Sequence, residues 1–193
     1  MNLFEHEYEQ NIEKFRKKNA EVVPCLYTDI REIFQQYHYK GRRIGGGITQ
    51  CFAMYYTQKK VGGAVIGPPR HSKKYSNAID IRRMACIDSS PTNSESYFLG
   101  QIIKWIRKNT DASSVLSYSD LTENHNGTIY KAANFQCVGM TKPTKNVYWN
   151  GERYHPRSLS IDREYSYRLR EAVKTGDAQI VEGLPKKIWI YKL

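Results

Sequence analysis

The sequence predicts an α/β domain with a mixed central sheet flanked by helices. Two strand-like runs, 48–58 and 60–67, meet at Lys59–Lys60 and predict an antiparallel pair. Farther along, strand-like and helical segments alternate over residues 78–141. An antiparallel start followed by strand–helix–strand units gives a sheet with both antiparallel and parallel neighbours.

Local patterns place the individual elements. Residues 27–38 carry apolar side chains at helical spacing, with Thr28 or Asp29 as the cap. The segment 94–109 has Phe98, Ile102, Trp105 and Ile106 on one face and is therefore amphipathic. The predicted helices cover 3–18, 27–38, 94–109 and 127–135, and the predicted strands cover 48–58, 60–67, 78–88, 113–120, 136–141, 146–155 (turning at "NG") and 186–193.

No internal repeat or low-complexity linker divides the 193 residues, a length that suits one core. We therefore expect a single domain over residues 1–193, with residues 1–25 as an N-terminal helical extension. No apolar run approaches the roughly 20 residues that a membrane span needs. The four cysteines are far apart, which is typical of free thiols in a reducing compartment. We expect a cytoplasmic protein without membrane contact.

The charge points to a polyanionic partner. Thirty Lys and Arg against 19 Asp and Glu give a net charge of +11. Proteins that neutralise nucleic-acid phosphates release counterions, so an excess of this size favours nucleic acid over a merely soluble basic surface. Fifteen tyrosines supply aromatic faces that can stack on unpaired bases.

The strand-to-helix junction at 86–99 resembles an anion site. Thr92 and Glu95 have the spacing of a capping box. The first turn of the helix would then present unpaired backbone N–H groups, with Asn93, Ser94 and Ser96 as additional donors to a phosphate. An ordinary helix cap is the alternative interpretation.

The next junction, 115–135, collects polar side chains where a strand ends. Tyr118 and Asp120 lie two residues apart, on the same side of the strand. Polar groups at the carboxyl end of a strand occupy the usual ligand crevice of an open α/β sheet. Gly127 weakens the predicted helix 127–135 and indicates close approach by a neighbouring backbone or a cofactor. Tyr130 lies three residues later, on the same face of that helix. Alternatively, Tyr118 is core, Asp120 a cap and His125 a solvated loop residue.

The segment "GTIYKAANFQCVG" resembles the "G-x-x-Y-x-x-x-x-F-x-x-x-G" segment of the GCN5-related N-acyltransferases (GNAT). Together with "YHYKGR", "RRMACID", "PTNSES" and "LSYSD", it resembles the phage Mom-type DNA modification proteins over roughly residues 36–158. Those are GNAT-like enzymes that convert adenine in DNA to a methylcarbamoyl-type base. The resemblance therefore implies a GNAT-like fold and an anti-restriction DNA modification enzyme in a bacterial host.

The resemblance also implies a set of site residues. Asp120 would be the base, acting through Tyr118 or a water, and Tyr130 would protonate the leaving thiolate. The implied acceptor-side residues are His38 and Tyr39, and the implied cofactor-binding residues are Arg83, Met84, Cys86, Asn93, Ser94, Ser96, Gly127 and Tyr130. The usual phosphate motif "Q/R-x-x-G-x-G/A" is replaced by "SSPTNSES", which leaves the donor open between acetyl-CoA and another acyl-CoA.

The target base must be flipped out of a duplex or single-stranded, because stacked bases are out of reach. Iron is a further implied cofactor, with His38, Tyr39, Asp120 and His125 as ligand types but no metal-ligand spacing. Two other functions stay open: a GNAT enzyme acting on a small-molecule, tRNA or protein amine, and a non-catalytic DNA-binding protein. The sequence does not determine the oligomeric state, and a homodimer is compatible with it.

Overall fold

The computed structural model describes residues 14–38, 47–69, 73–162 and 165–193. The strands are β1 (Ala20–Cys25), β2 (Gln50–Tyr56), β3 (Lys59–Gly67), β4 (Ala78–Cys86), β5 (Ser114–Asp120), β6 (Gln136–Met140), β7 (Lys145–Trp149), β8 (Glu152–Tyr154), β9 (Gln179–Glu182) and β10 (Lys186–Lys192). The α-helices are α1 (Tyr27–Tyr37), α2 (Ser94–Asn109), α3 (Thr128–Ala132) and α4 (Ser166–Thr175).

The larger sheet is mixed, as the sequence predicts. Its strand order is β1-β2-β3-β4-β5-β10-β6. Strands β4 and β5 run parallel, whereas β1–β2, β2–β3, β5–β10 and β10–β6 are antiparallel. The chain forms two compact units, the first from Met1–Gly67 and Arg82–Thr110 and the second from Pro68–Ile81 and Asp111–Leu193. Strand β4 supplies residues to both units. The parallel β4–β5 pair among antiparallel pairs confirms the predicted α/β class with a mixed sheet.

In the first unit, helix α1 packs against β2 and β3. Ile30, Ile33 and Phe34 are buried because their spacing of three and four residues puts them on one helical face. A Cβ at Gly63 would lie 3.0 Å from the Cβ of Ile30, so this glycine lets α1 approach the sheet closely. Each fully buried large apolar side chain stabilises the fold by about 1.5–3 kcal/mol.

The second unit contains the smaller sheet, β8-β7-β9. Its core joins Val147 of β7 to Leu169 and Ala172 of α4. Asn150 and Gly151 both have positive φ between β7 and β8, so the predicted turn at "NG" is confirmed.

The predicted N-terminal helical extension is wrong for its described part. Residues 17–19 form a single 3-10 turn, and Ala20–Cys25 form strand β1, paired with β2. β-branched Val22 and Val23 suit a strand, and Pro24 is tolerated because β1 is at the edge of the sheet. Residues 1–13, most of the predicted first helix, lie outside the described residues.

Three further expectations change. Helix α2 begins directly after Asn93, whose φ is 74° and whose side chain makes no capping hydrogen bond. The predicted capping box of Thr92 and Glu95 is therefore wrong. Helix α3 is shorter than the predicted 127–135, and Gly127 precedes it as the N-cap instead of lying inside it. Helix α4 and strand β9 are absent from the sequence prediction, although the buried Ser166, Leu169 and Ala172 lie at helical spacing in α4. None of the described helices is long and apolar enough to cross a membrane.

Candidate active site

Strand β5 divides the predicted site residues of the second unit between its two faces. Alternate residues of a strand point to opposite sides. Ser117 and Ser119 therefore share one face, and Tyr118 and Asp120 share the other. The hydrogen bonds described below follow this division.

The hydroxyl of Tyr130 lies on the Ser117 face. Ser117 Oγ donates to Tyr130 Oη at 2.8 Å, and both side chains are buried. The Tyr130 ring stacks on Trp189 with 5.8 Å between ring centroids and meets the edge of Phe135 at 5.5 Å. Trp189 Nε1 in turn donates to Ser119 Oγ at 2.9 Å. The phenol is thus held directly by Ser117 and by two aromatic rings, and Ser119 fixes one of those rings, that of Trp189.

Gly127 leaves room for Trp189. A Cβ at this position would lie 2.3 Å from Cζ2 of the indole, far inside van der Waals contact. Its φ of 80° is also the left-handed conformation that favours glycine. The close approach inferred from sequence is real, but a protein side chain makes it. This geometry gives Gly127 a packing role, and its cofactor contact stays a prediction.

The opposite face holds a buried carboxylate with two cationic partners. Asp120 is 1% exposed. Its Oδ2 accepts from Lys186 Nζ at 2.5 Å and lies 3.6 Å from an Arg153 nitrogen. The backbone N–H of Thr122 donates to Oδ1 at 3.2 Å.

Burial raises the pKa of Asp120, but the hydrogen bond and charge of Lys186, the charge of Arg153 and the Thr122 N–H together hold it below the usual value of 3.8. Arg153 also binds Glu123 and donates from Nε to Asn146 at 3.0 Å. A carboxylate stabilised in this way takes up a proton less readily than a free one, which makes Asp120 a weaker base than its sequence position suggests.

Tyr118 is a phenol that stays protonated. Burial, the Asp80 carboxylate and Tyr75 raise its pKa to about 12. Its hydroxyl is therefore neutral near pH 7.

The first unit holds further described candidates, three of which lie on the two faces of strand β4. Arg83 is buried, and its guanidinium lies 6.0 Å from the centroid of the Phe34 ring. Met84 and Cys86 alternate with it along β4. Burial first, then Glu95, raises the pKa of the Cys86 thiol to about 12, so this cysteine is not a thiolate at neutral pH.

The first turn of α2 uses its serine hydroxyls locally. Ser94 Oγ donates to the carbonyl of Pro91 at 2.7 Å, and Ser96 Oγ donates to the carbonyl of Asn93 at 3.0 Å. These bonds shape the turn and take the hydroxyl protons that the sequence assigned to a phosphate. The side chain of Asn93 is exposed.

His38 follows α1 and meets the ring of Phe34 edge-on, with 5.9 Å between ring centroids. The side chain of His125 is exposed, and its backbone N–H donates to the carbonyl of Asp120. Tyr39 lies outside the described residues.

The described residues do not fit the iron site that the family resemblance implies. Among residues 14–38, 47–69, 73–162 and 165–193, no three His, Cys, Asp or Glu side chains come close enough to hold a metal ion. Asp120, one of the four candidate ligands, is already neutralised by Lys186 and Arg153.

Four contributors escaped the sequence reasoning: Ser117, Arg153, Lys186 and Trp189. The alternation in "SYSD" could have indicated Ser117, since a hydroxyl at a buried strand position needs a partner. Lys186 lies 66 residues from Asp120 in the chain, and no local pattern indicates such a pair.

Solved structures share this fold. An N-acetyltransferase from Staphylococcus aureus superposes with a TM-score of 0.55 at 11% identity, covering 90% of this chain and 98% of that chain. A putative acetyltransferase from Salmonella typhimurium with acetyl-CoA gives 0.55 at 9% identity, covering 91% and 94%. A GNAT family acetyltransferase from Elizabethkingia anophelis with acetyl-CoA bound gives 0.50 at 12% identity, covering 92% and 100%.

The fold is therefore that of the GNAT acetyltransferases. No curated protein matches the sequence significantly. The sequence profile of the Mom protein family, however, matches residues 19–188. The chain belongs to the Mom protein family, and the resemblance inferred from its motifs is confirmed.

Proposed function

We propose that this protein is an acyltransferase that carries a group from a CoA thioester to the exocyclic amine of adenine in DNA, giving a methylcarbamoyl-type base. Family membership and the shared GNAT fold support acyl transfer. Two of the structures with this fold are described with acetyl-CoA bound, which supports an acyl-CoA donor. The net charge of +11 supports a nucleic-acid acceptor.

The observation that carries this proposal is the buried phenol of Tyr130. It occupies the tyrosine position of the GNAT-like segment, and Ser117 and Trp189 hold it in one orientation. A hydroxyl fixed in an apolar wall is suited to deliver a proton at one place. No other described tyrosine combines this sequence position with a hydrogen bond from a buried serine.

In the proposed transfer, the amine nitrogen attacks the carbonyl carbon of the thioester. An acetyl thioester gives an N-acetyl base by this step, whereas a methylcarbamoyl-type base requires a thioester whose acyl group already carries the methylcarbamoyl nitrogen. The new C–N bond forms, the C–S bond breaks, and the thiolate takes the proton of Tyr130. The proton lost by the nitrogen returns to the Tyr130 phenolate through solvent, so the enzyme ends unchanged. Adenine must be unpaired for this step, because a stacked base cannot reach the thioester.

The low pKa of Asp120 gives it a different part in the proposal. Its carboxylate anchors Lys186 and Arg153 at the end of β5 and acts as a positioning residue. The first turn of α2 keeps its proposed role at the phosphates of CoA, through backbone N–H groups and the helix dipole. The hydroxyls of Ser94 and Ser96 shape that turn.

Expression in a bacterial host followed by nucleoside mass spectrometry tests the function. Wild-type protein is expected to produce a mass-shifted adenine nucleoside, and the shift distinguishes a simple acyl group from a methylcarbamoyl-type group. Tyr130→Phe is expected to lower the modified fraction at least tenfold, in keeping with the loss of one acid catalyst. Tyr167→Phe, at a side chain 65% exposed, is the matched control. Full modification by Tyr130→Phe would overturn the proposed role.

A non-catalytic DNA-binding protein is the second candidate, because the usual phosphate motif is replaced by "SSPTNSES". Titration calorimetry with acetyl-CoA separates the two functions. The enzyme is expected to bind acetyl-CoA, whereas the non-catalytic protein would bind DNA and no CoA thioester. Acyl-CoA turnover with a small amine, tRNA or protein in place of DNA would identify the acceptor as another amine.

A further inference from the structure

A cavity of about 360 Å³ opens beside β1, β2 and α2 in the first unit. None of its lining residues belongs to the candidate catalytic set. They are Val22, Pro24, Phe52, Gln101, Lys104, Trp105, Lys108 and Asn109. Its volume lies at the lower end of the range of about 300–1,000 Å³ typical of small-molecule sites.

One wall of the cavity is apolar and aromatic. Phe52 of β2 is 1% exposed and meets the half-buried indole of Trp105 edge-on, with 5.2 Å between ring centroids. Val22 and Pro24 lie two residues apart on the edge strand β1 and therefore face the same way. This wall suits a flat, weakly polar group such as a nucleobase.

The other wall is one stripe of α2. Gln101, Lys104 and Lys108 follow one another at spacings of three and four residues, which return to the same helical face, and Asn109 lies four residues after Trp105. The side chains of Lys104 and Lys108 are exposed, and no acidic residue is among the eight that line the cavity. Two ammonium groups with no lining carboxylate beside them attract phosphate, and the Gln101 amide can hydrogen-bond the edge of a base. The Asn109 amide already donates from Nδ2 to the carbonyl of Trp105 at 2.8 Å.

We propose that this cavity binds one nucleotide of a single-stranded nucleic acid, with its base against Trp105 and its flanking phosphates on Lys104 and Lys108. The site rests on the proposed function only in taking DNA as the partner. A base paired in a duplex cannot enter a concave pocket, so the site selects unpaired strands.

Fluorescence anisotropy with labelled oligonucleotides tests the site. Lys104→Ala/Lys108→Ala is expected to weaken single-strand binding at least tenfold and to reduce the slope of log affinity against log salt by about 1.4, or about 0.7 for each lost phosphate contact. Lys142→Ala/Lys145→Ala removes the same charge from two exposed lysines of the second unit and is the matched control. Equal losses in the two double variants would overturn the site.

Changing the probe tests the role of the base without altering the protein. An abasic strand of the same length is expected to bind wild-type protein about tenfold more weakly, as expected when one stacked base is lost. An intact duplex is expected to compete poorly. A free mononucleotide that competes as well as the strand would assign the cavity to a small-molecule ligand and overturn the proposal.

The proposed function can fail separately. If wild-type protein modifies DNA while the Lys104/Lys108 variant binds single strands normally, the cavity proposal falls and the enzyme proposal stands. If wild-type protein binds single strands through this cavity but yields no modified nucleoside, the site stands and the enzyme proposal falls. If wild-type protein does not bind DNA, both fall.

Discussion

The side chain of Asp120 is almost completely buried and yet carries a charge. Removing a carboxylate from water costs several kcal/mol, and the charge persists only because Lys186, Arg153 and a backbone N–H compensate for the lost hydration. The two cations keep 20% of their side-chain surface exposed, so they retain some water when the pair is broken.

Asp120→Asn is expected to destabilise the protein by about 3 kcal/mol, the lower end of the cost of breaking a buried pair. Urea denaturation followed by circular dichroism measures this change. Glu171→Gln is the matched control, because it breaks an ion pair with Lys174 whose side chains are 42% and 71% exposed. Similar losses in the two variants would contradict the buried-pair interpretation.

Acid should remove the same stabilisation. The folded-state pKa of Asp120 is lower than its unfolded value, so its contribution is complete above the unfolded value of 3.8 and is lost as the pH falls towards the folded value. Urea midpoints measured across acidic pH should differ between wild type and Asp120→Asn near neutrality and converge in acid. A constant difference at all pH values would exclude this carboxylate as the source.

At the scale of elements, the approach of α3 to β10 depends on one glycine. Gly127 and Gly151 both have positive φ, at 80° and 74°. A Cβ at Gly127 would collide with Trp189, whereas a Cβ at Gly151 would meet nothing within 4 Å. An alanine at Gly151 would therefore cause backbone strain alone, whereas an alanine at Gly127 would cause both backbone strain and a steric collision.

Gly151→Ala is expected to cost about 1–2 kcal/mol, the cost of placing a side chain in the left-handed region. Gly127→Ala should cost at least about 1 kcal/mol more, because the indole must move away from the new methyl group. Thermal or urea unfolding of both variants checks the difference. Equal costs would mean that Trp189 adjusts freely and does not fix the position of α3.

Elements with strong local signals were predictable from the sequence. Helix α2 has an uninterrupted apolar stripe, and the β7–β8 turn has "NG" at the positions that need positive φ. Strand β1 was missed because it lies in a short stretch beside a charged segment. Such a strand is recognised only through its pairing with β2, which is not a local property.

The candidate site was predictable only within each strand. Period-two alternation correctly placed Tyr118 and Asp120 on one face of β5. The same alternation puts Ser117 on the other face, but only the packing of α3 shows that Tyr130 joins it there. Lys186 and Arg153 change the chemistry of Asp120 from positions 66 and 33 residues away in the chain.

For the whole molecule, the net charge of +11 predicts salt-sensitive DNA binding. The slope of log affinity against log salt for duplex DNA is expected to be steeper than about −3, which corresponds to more than about three neutralised phosphates. Anisotropy titrations over a range of salt concentrations measure it. Circular dichroism over the same range controls for unfolding, and a slope near zero with an intact fold would contradict a phosphate-based interface.

The ionic group at the end of β5 also bears on how this sequence can diverge. Asp120, Arg153 and Lys186 lie on three separate strands, and the carboxylate of Asp120 pairs with both cations. Loss of the acid alone leaves two cations in need of water, and loss of either cation alone raises the cost of keeping the acid ionised. Homologous chains should therefore exchange these positions together, and natural variation at position 120 should be accompanied by variation at 153 or 186.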